Sequence, residues 1–298
     1  MRSFAIASLQ LDLQPAHNLP RLEAELRALR RRFPWVQMAM LPELAAHGTN
    51  PSHAEPQGGP TEQHFVALAR ELDLWLLPGS FFQREGEAVF NVAPVISPAG
   101  EVVARHRKLY PFLPYERGIT AGHTATVFDV PGVGCFGVSI CYDMWFPETS
   151  RALAWLGAEI ILHPGLTNTI DRGVERAIAR AAAASNQCYF LDLNCAGLLG
   201  MGRSGFYGPG GEVLHESGPG YEIVPLMLDL DHVRDVRTRG WHGLGQVLKS
   251  FRDGGHSFPQ SVTEAGGAAS PVLTGLGPLV MPDRRQTGTG AGENDGID

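Results

Sequence analysis

No run of about 18 apolar residues occurs in the 298-residue chain, so neither a membrane-spanning helix nor a membrane partner is expected. The opening MRSFAIASLQLDL lacks the apolar core of roughly 7–15 residues that a secretion signal needs. Its alternation of apolar with small or polar residues reads as a first strand. Basic residues are in deficit: 24 Lys and Arg stand against 31 Asp and Glu, a net charge of −7 with His neutral. Phosphate binding needs a basic face, so nucleic acid is not expected as a partner. The run RALRRR (27–32) reads as the solvated face of a helix. Cysteine is scarce as well, four residues at 135, 141, 188 and 195 with no C-x-x-C pair. That excludes a disulfide framework and fits a reducing cytoplasm. There is no H-E-x-x-H, no paired Cys/His ligand spacing and no Gly-rich phosphate loop after a strand, so no metal or organic cofactor is expected.

What the chain does have is core material. Hydrophobic residues make up 44% and charged residues only 18%, enough to fill one large domain. Strand-like runs fall at 4–10, 36–41, 74–77, 89–96, 102–106, 126–130, 135–140, 159–163, 188–194 and 223–229. Helical patterns lie at 18–32, where Leu19, Leu22, Leu26 and Leu29 share a stripe, and at 61–72, 147–156 and 171–185, the last with Asp171 as its N-cap. Turn signals at SPAGE (97–101), VPGVG (130–134) and GPGGE (208–212) predict hairpins. Hairpins mixed with strand–helix alternation predict an α/β protein with mixed sheets. From Asp253 onward the composition changes, with 10 of 36 glycines in the last 46 residues. Residues 1–252 are therefore read as the domain and 253–298 as an arm or disordered tail.

Cys141 ends an apolar run and precedes a helical segment with Pro147 near its first position and Glu148 in its first turn. Two readings stand: a nucleophile held near backbone N–H groups, or a small residue packed in the core. A nucleophile needs a base, and none of the eleven histidines sits in a local signature. His163, in ILHPG, either lines a cleft or merely ends a strand. Charged groups at strand ends are better placed. Glu43 follows the apolar run VQMAML in LPEL, Lys108 ends VVARHRK, and Glu116 lies eight residues further on in a Pro- and aromatic-rich loop.

These motifs, LPEL, HRKLYPFLPYERG and SICYDMWFPETSR, together resemble the nitrilase superfamily of carbon–nitrogen hydrolases. The resemblance runs from residue 4 to about 250 and includes GAEIILHP, ERAIARAAAASNQCYFLDLN and GRSGFYGPGGEVL in the family's order. It implies a four-layer α-β-β-α sandwich with two mixed sheets. It further implies Cys141 as nucleophile, Glu43 as proton acceptor and donor, and Lys108 with the Tyr142 N–H as the oxyanion site. Glu116 matches the family's additional glutamate and would hold Lys108 or the substrate. Nitrile-cleaving members read Cys-Trp-Glu at the nucleophile, whereas this chain has Cys141-Tyr142-Asp143, which looks like the amidase branch. N-carbamoyl compounds are the nearest alternative substrates. Tyr115, Tyr142, Trp145 and His163 are the candidate substrate-binding residues, although Trp145 serves equally well as packing for the following helix. A homodimer or a higher homo-oligomer built from it, pairing through 147–156 and 171–185, is implied, with 243–253 crossing to the partner.

Overall fold

The computed structural model describes residues 3–255 together with Leu276. In chain order the strands are β1 (Ser3–Gln10), β2 (Asp12–Leu13), β3 (Met38–Met40), β4 (Glu55–Pro56), β5 (Trp75–Leu77), β6 (Phe81–Glu85), β7 (Ala88–Ile96) and β8 (Val102–Arg107). They continue with β9 (Thr126–Val130), β10 (Gly134–Val138), β11 (Ile160–Gly165), β12 (Tyr189–Asn194), β13 (Ala196–Gly197), β14 (Gly205–Tyr207), β15 (Val213–Glu216) and β16 (Glu222–Asp229). The helices are α1 (Leu19–Arg32), α2 (Pro60–Leu72), α3 (Pro147–Trp155), α4 (Arg172–Asn186), α5 (Leu230–Arg239) and α6 (Val247–Asp253).

Two large mixed sheets result. The first has the order β16-β1-β3-β5-β7-β6-β4 with β8 on β7, and the second runs β15-β14-β12-β11-β10-β9. Strand periodicity divides each strand between two apolar layers. Phe4, Ile6, Met38 and Met40 of the first sheet meet Phe136, Val138, Leu162 and Leu191 of the second in a central core. The alternate residues Ala7, Leu9 and Ala39 face outward against Leu22, Leu26 and Leu29 of α1 and Phe65 of α2. On the far side Ile161 and Phe190 pack on Leu153 of α3 and on Ala179 and Ala183 of α4. Helix, sheet, sheet and helix make the expected four layers. Strands buried on both faces read as continuous apolar runs, which is why the sequence shows so little alternation within them.

All three turn signals join antiparallel neighbours: β7 to β8, β9 to β10 and β14 to β15. The α1 stripe is buried as the spacing requires, at Leu22, Leu26 and Leu29. Several details differ from expectation, among them helix α5, for which no helical pattern was read in the sequence. β6 was not foreseen, because its sequence FFQRE carries only three buried residues before turning polar. Asp171 stands at the N-cap of α4, but its side chain makes no capping hydrogen bond. The strand carrying His163 continues through Pro164 and Gly165, so this histidine lies inside β11 and not at its end.

Phe112–Arg117 groups apart from Ser3–Pro111 and Gly118–Gly255 and is described by itself. The predicted tail falls outside the described residues, apart from the end of α6, Gly254, Gly255 and Leu276.

Candidate active site

The chain leaves β3 through Leu41 and Pro42 and delivers Glu43 into a tight turn. Leu44 takes a positive φ of 50° there and donates its N–H to Ser80 Oγ at 3.1 Å. The approach is close: a Cβ at Gly79 would lie 1.7 Å from the Pro42 carbonyl oxygen, so only glycine fits beneath this turn. Glu43 is buried, and its Oε1 accepts from Lys108 Nζ at 2.9 Å and from Asn91 Nδ2 at 2.8 Å. Lys108, also buried, follows β8. Its N–H donates to the Asn91 carbonyl at 2.9 Å, and its carbonyl accepts from Gly122 N–H at 2.8 Å. Asn91 thus holds the backbone of one member of the pair and the carboxylate of the other. Burying two charges is tolerable only with such pairing; removing one partner alone typically costs about 3–5 kcal/mol.

Cys141 comes from the opposite sheet. After β10 the chain stays extended at Ile140 and then turns sharply, with Cys141 at φ 45° opening a short 3-10 turn, Cys141–Trp145. A left-handed conformation at a non-glycine residue costs roughly 1–3 kcal/mol and must be held by its surroundings. Here Asp143 holds it: its Oδ2 accepts from Ile140 N–H at 2.9 Å and its N–H donates to the Ile140 carbonyl at 3.0 Å. The helix expected at 147–156 follows this turn, running from Pro147 to Trp155 with the proline in its first turn.

Cys141 lies deep in the protein while keeping part of its surface open. Burial pushes its thiol well above the ordinary cysteine range, and the Glu43 carboxylate pushes in the same direction. Lys108 pulls the other way, as does the Leu166 backbone N–H that faces the sulfur. The resting residue is therefore a thiol, and attack requires a base to take its proton as the bond forms.

The structure thus brings Glu43, Lys108 and Cys141 into one electrostatic neighbourhood, two from the first sheet and one from the second. Tyr142 meets Phe146 edge-on at 5.3 Å between ring centroids, and Phe146 stacks on Tyr110 at 3.5 Å. Trp145 packs against the layer formed by α3, α4 and the second sheet. His163 is fully buried, with its ring 5.3 Å from that of Phe190 and Nδ1 2.7 Å from Ser139 Oγ. Its neighbours along β11 alternate, Ile160 and Leu162 lying in the core between the sheets and Ile161 in the layer against α3 and α4. Within Phe112–Arg117, the Glu116 carboxylate accepts from Phe112 N–H at 2.5 Å, the Glu116 N–H donates to the Phe112 carbonyl at 2.9 Å, and Tyr115 stacks on Phe112 at 4.9 Å.

Sequence reasoning passed over several residues that shape this site. Asn91 had a signal, a lone amide inside the apolar run VFNVAPVI. Asp143 stood within the quoted motif and His106 within RHRK. Glu175 had none: it accepts from Thr167 Oγ1 at 3.0 Å and from Arg172 Nη1 at 3.1 Å, next to the Leu166 turn, a link that only the fold creates. Among the described residues, no group of three or more His, Cys, Asp or Glu could hold a metal ion, and no helix is long and apolar enough to cross a membrane.

A family model described as carbon–nitrogen hydrolase matches residues 5–238. The chain is 27% identical over 260 residues to the omega-amidase NIT2 of Bos taurus, covering 80% of this chain and 93% of that protein. The human omega-amidase NIT2 is 26% identical with the same coverage. Among solved structures, Saccharomyces cerevisiae Nit3, a member of branch 10 of the nitrilase superfamily, superposes with a TM-score of 0.74 at 25% identity, over 80% of this chain and 94% of that one. An amidase from Nesterenkonia sp. gives 0.70 at 25%, over 79% and 94%. A mutant of that amidase, also 25% identical with a TM-score of 0.70 over 79% and 97%, carries acrylamide added at its active site cysteine. With the four-layer fold and the family model spanning most of the chain, this protein belongs to the carbon–nitrogen hydrolases of the nitrilase superfamily.

Proposed function

We propose that the protein hydrolyses the carbon–nitrogen bond of a small linear amide through a thioester on Cys141. The observation that carries this reading is the buried Glu43–Lys108 pair, whose two charges both act on the Cys141 thiol. Glu43 takes the thiol proton as Sγ bonds to the amide carbon. The carbonyl oxygen gains negative charge, which Lys108 and the Tyr142 N–H stabilise; losing one such donor typically costs about 3–4 kcal/mol of transition-state stabilisation. Glu43 then returns the proton to the departing nitrogen and ammonia leaves. Water attacks the thioester with Glu43 again as base, releasing the carboxylic acid and restoring the thiol.

The named activities of the NIT2 proteins and of the Nesterenkonia amidase favour amides, and ω-amides of dicarboxylic acids among them. Tyr142, with Tyr110 and Phe146 beside it, forms the apolar side of the proposed pocket. Tyr115 is assigned to substrate contact and Glu116 to holding the substrate or Lys108. A homodimer is proposed as the working assembly.

The test is a panel of short aliphatic amides, ω-amides of dicarboxylic acids, N-carbamoyl amino acids and matching nitriles, assayed for ammonia and carbon dioxide beside Cys141→Ala. Ammonia alone from an amide, abolished in the variant, is the expected result. Carbon dioxide with ammonia reassigns the protein to carbamoyl cleavage, and activity surviving in Cys141→Ala refutes the mechanism.

A further inference from the structure

Glu43 and Lys108 stand on the first sheet and Cys141 on the second, so the distance between base and nucleophile is set by how the two sheets are held together. The apolar core between them is non-directional and cannot fix that distance by itself. Asp143 is fully buried and bonds to both sides. Its Oδ1 accepts from Tyr110 N–H at 2.8 Å, two residues after Lys108. Its Oδ2 lies 3.1 Å from His106 Nε2, two residues before Lys108, and accepts from Ile140 N–H at 2.9 Å, immediately before Cys141. His106 is equally buried and places Nδ1 3.2 Å from Thr126 Oγ1 on β9 of the second sheet. Because a carboxylate only accepts, the Nε2 facing it carries the proton.

We propose that Asp143 and His106 act together as positioning residues that set the Glu43–Lys108 pair against Cys141 by joining the two sheets on either side of Lys108. The inference rests on the reaction proposed above. Neither residue touches the reacting atoms. Hydrogen bonds to a buried carboxylate are short and directional, so they hold a register that packing alone leaves free. Their loss displaces the pair from the thiol while leaving the substrate pocket in place.

The experiment compares Asp143→Asn, His106→Gln, His106→Ala and the double variant Asp143→Asn/His106→Ala with the parent protein. Turnover of the monoamide of succinic acid, a short ω-amide of the panel, is measured together with thermal melting. Displacement of reacting groups by about 1 Å costs on the order of 100-fold, so Asp143→Asn is expected to lower kcat by about 10- to 100-fold with KM held within about threefold. His106→Gln, which can present an N–H donor where Nε2 lies, keeps a higher kcat than His106→Ala. The double variant loses no more than the worse single one, because the two residues make one link. Asp143→Asn with kcat within about twofold of the parent, or a kcat loss matched by an equal loss of folded protein, overturns the proposal. If Asp143→Asn does not fold, the His106 pair decides alone, and equal kcat for Gln and Ala overturns it. Turnover that survives in Cys141→Ala brings down the reaction itself, whereas a dead Cys141→Ala beside an unaffected Asp143→Asn brings down only this inference.

Discussion

Replacing Glu43 by glutamine separates two things that one carboxylate does, and the two respond in opposite directions. The substitution keeps the shape of the side chain. Its amide oxygen can still accept from Asn91 Nδ2 and Lys108 Nζ, the donors now 2.8 and 2.9 Å away. What disappears is the negative charge. Lys108, almost fully buried, then loses the opposite charge of Glu43 beside it, and removing one member of a buried pair typically costs about 3–5 kcal/mol. For a chain of this size each kcal/mol corresponds to about 2–4 °C, so melting should fall on the order of 10 °C.

The chemical consequences divide. Glu43 holds the Cys141 thiol up, second only to burial, so its removal lowers the thiol pKa and raises the thiolate fraction at neutral pH. A tenfold gain in thiolate is partly offset by weaker intrinsic nucleophilicity, with a Brønsted slope of about 0.4–0.5, leaving a net gain of about threefold. Iodoacetamide, which needs only the thiolate, should therefore label Cys141 faster in Glu43→Gln. Amide turnover, which needs the proton taken and returned, should fall by roughly 10²–10⁴. The assay is a pair of rates on one preparation: the second-order labelling rate followed by mass spectrometry, and ammonia release. Labelling that slows in step with turnover would refute the reasoning, since it would mean that the carboxylate assists the thiolate more than its charge opposes it.

Lys108→Met should slow both rates, because Lys108 favours the thiolate and stands where the oxyanion forms; turnover should drop by about 10²–10³, read in the same two assays. Gly79→Ala places a Cβ 1.7 Å from the Pro42 oxygen at a position with φ of 74°, so it should displace the Glu43 turn and reduce both melting temperature and kcat, whereas Gly86→Ala, with nothing within 4 Å, should lose only the strain of its own positive φ. His163 is held well below the ordinary histidine range, first by burial and then by Arg172, Lys108 and His106. Above about pH 6.5 it is neutral in both folded and unfolded chains and contributes no pH dependence. Below that the unfolded chain takes up a proton that the folded protein refuses, so stability falls by up to about 1.4 kcal/mol per pH unit. Urea midpoints at pH 7 and pH 5 should therefore lie closer together in His163→Asn than in the parent.

What could be read from the sequence divides along physical lines. Turn chemistry is local, and SPAGE, VPGVG and GPGGE each join the antiparallel strands they announce. The α1 leucine stripe is local too. Sheet assignment is not: β7 and β10 both read as apolar runs, and nothing in either shows that they belong to different sheets facing each other across Phe4, Phe128 and Phe136. The chemistry follows the same division. Glu43 and Cys141 each follow an apolar run and Lys108 ends the strand-like segment VVARHRK, so their positions at strand ends were legible, and their order in the chain carried the family resemblance.

Their partners were not legible, because each partner is defined by a contact between distant segments. Asn91 reaches Glu43 across 48 positions and Asp143 reaches His106 across 37. His163 shows the limit most directly. As a histidine after an apolar run it read either as lining a cleft or as ending a strand, whereas β11 extends two residues further and holds it buried beside Phe190 and Ser139. A shift of one position along the strand would have faced it toward the other sheet, since side chains alternate with a period of two. Strand parity, which short apolar runs do not display, therefore decides whether a polar residue near a strand end is chemistry or core. In this fold the acid and the nucleophile sit beyond the last paired residues, Met40 and Val138, where parity no longer constrains them and the turn geometry at Leu44 and Cys141 takes over.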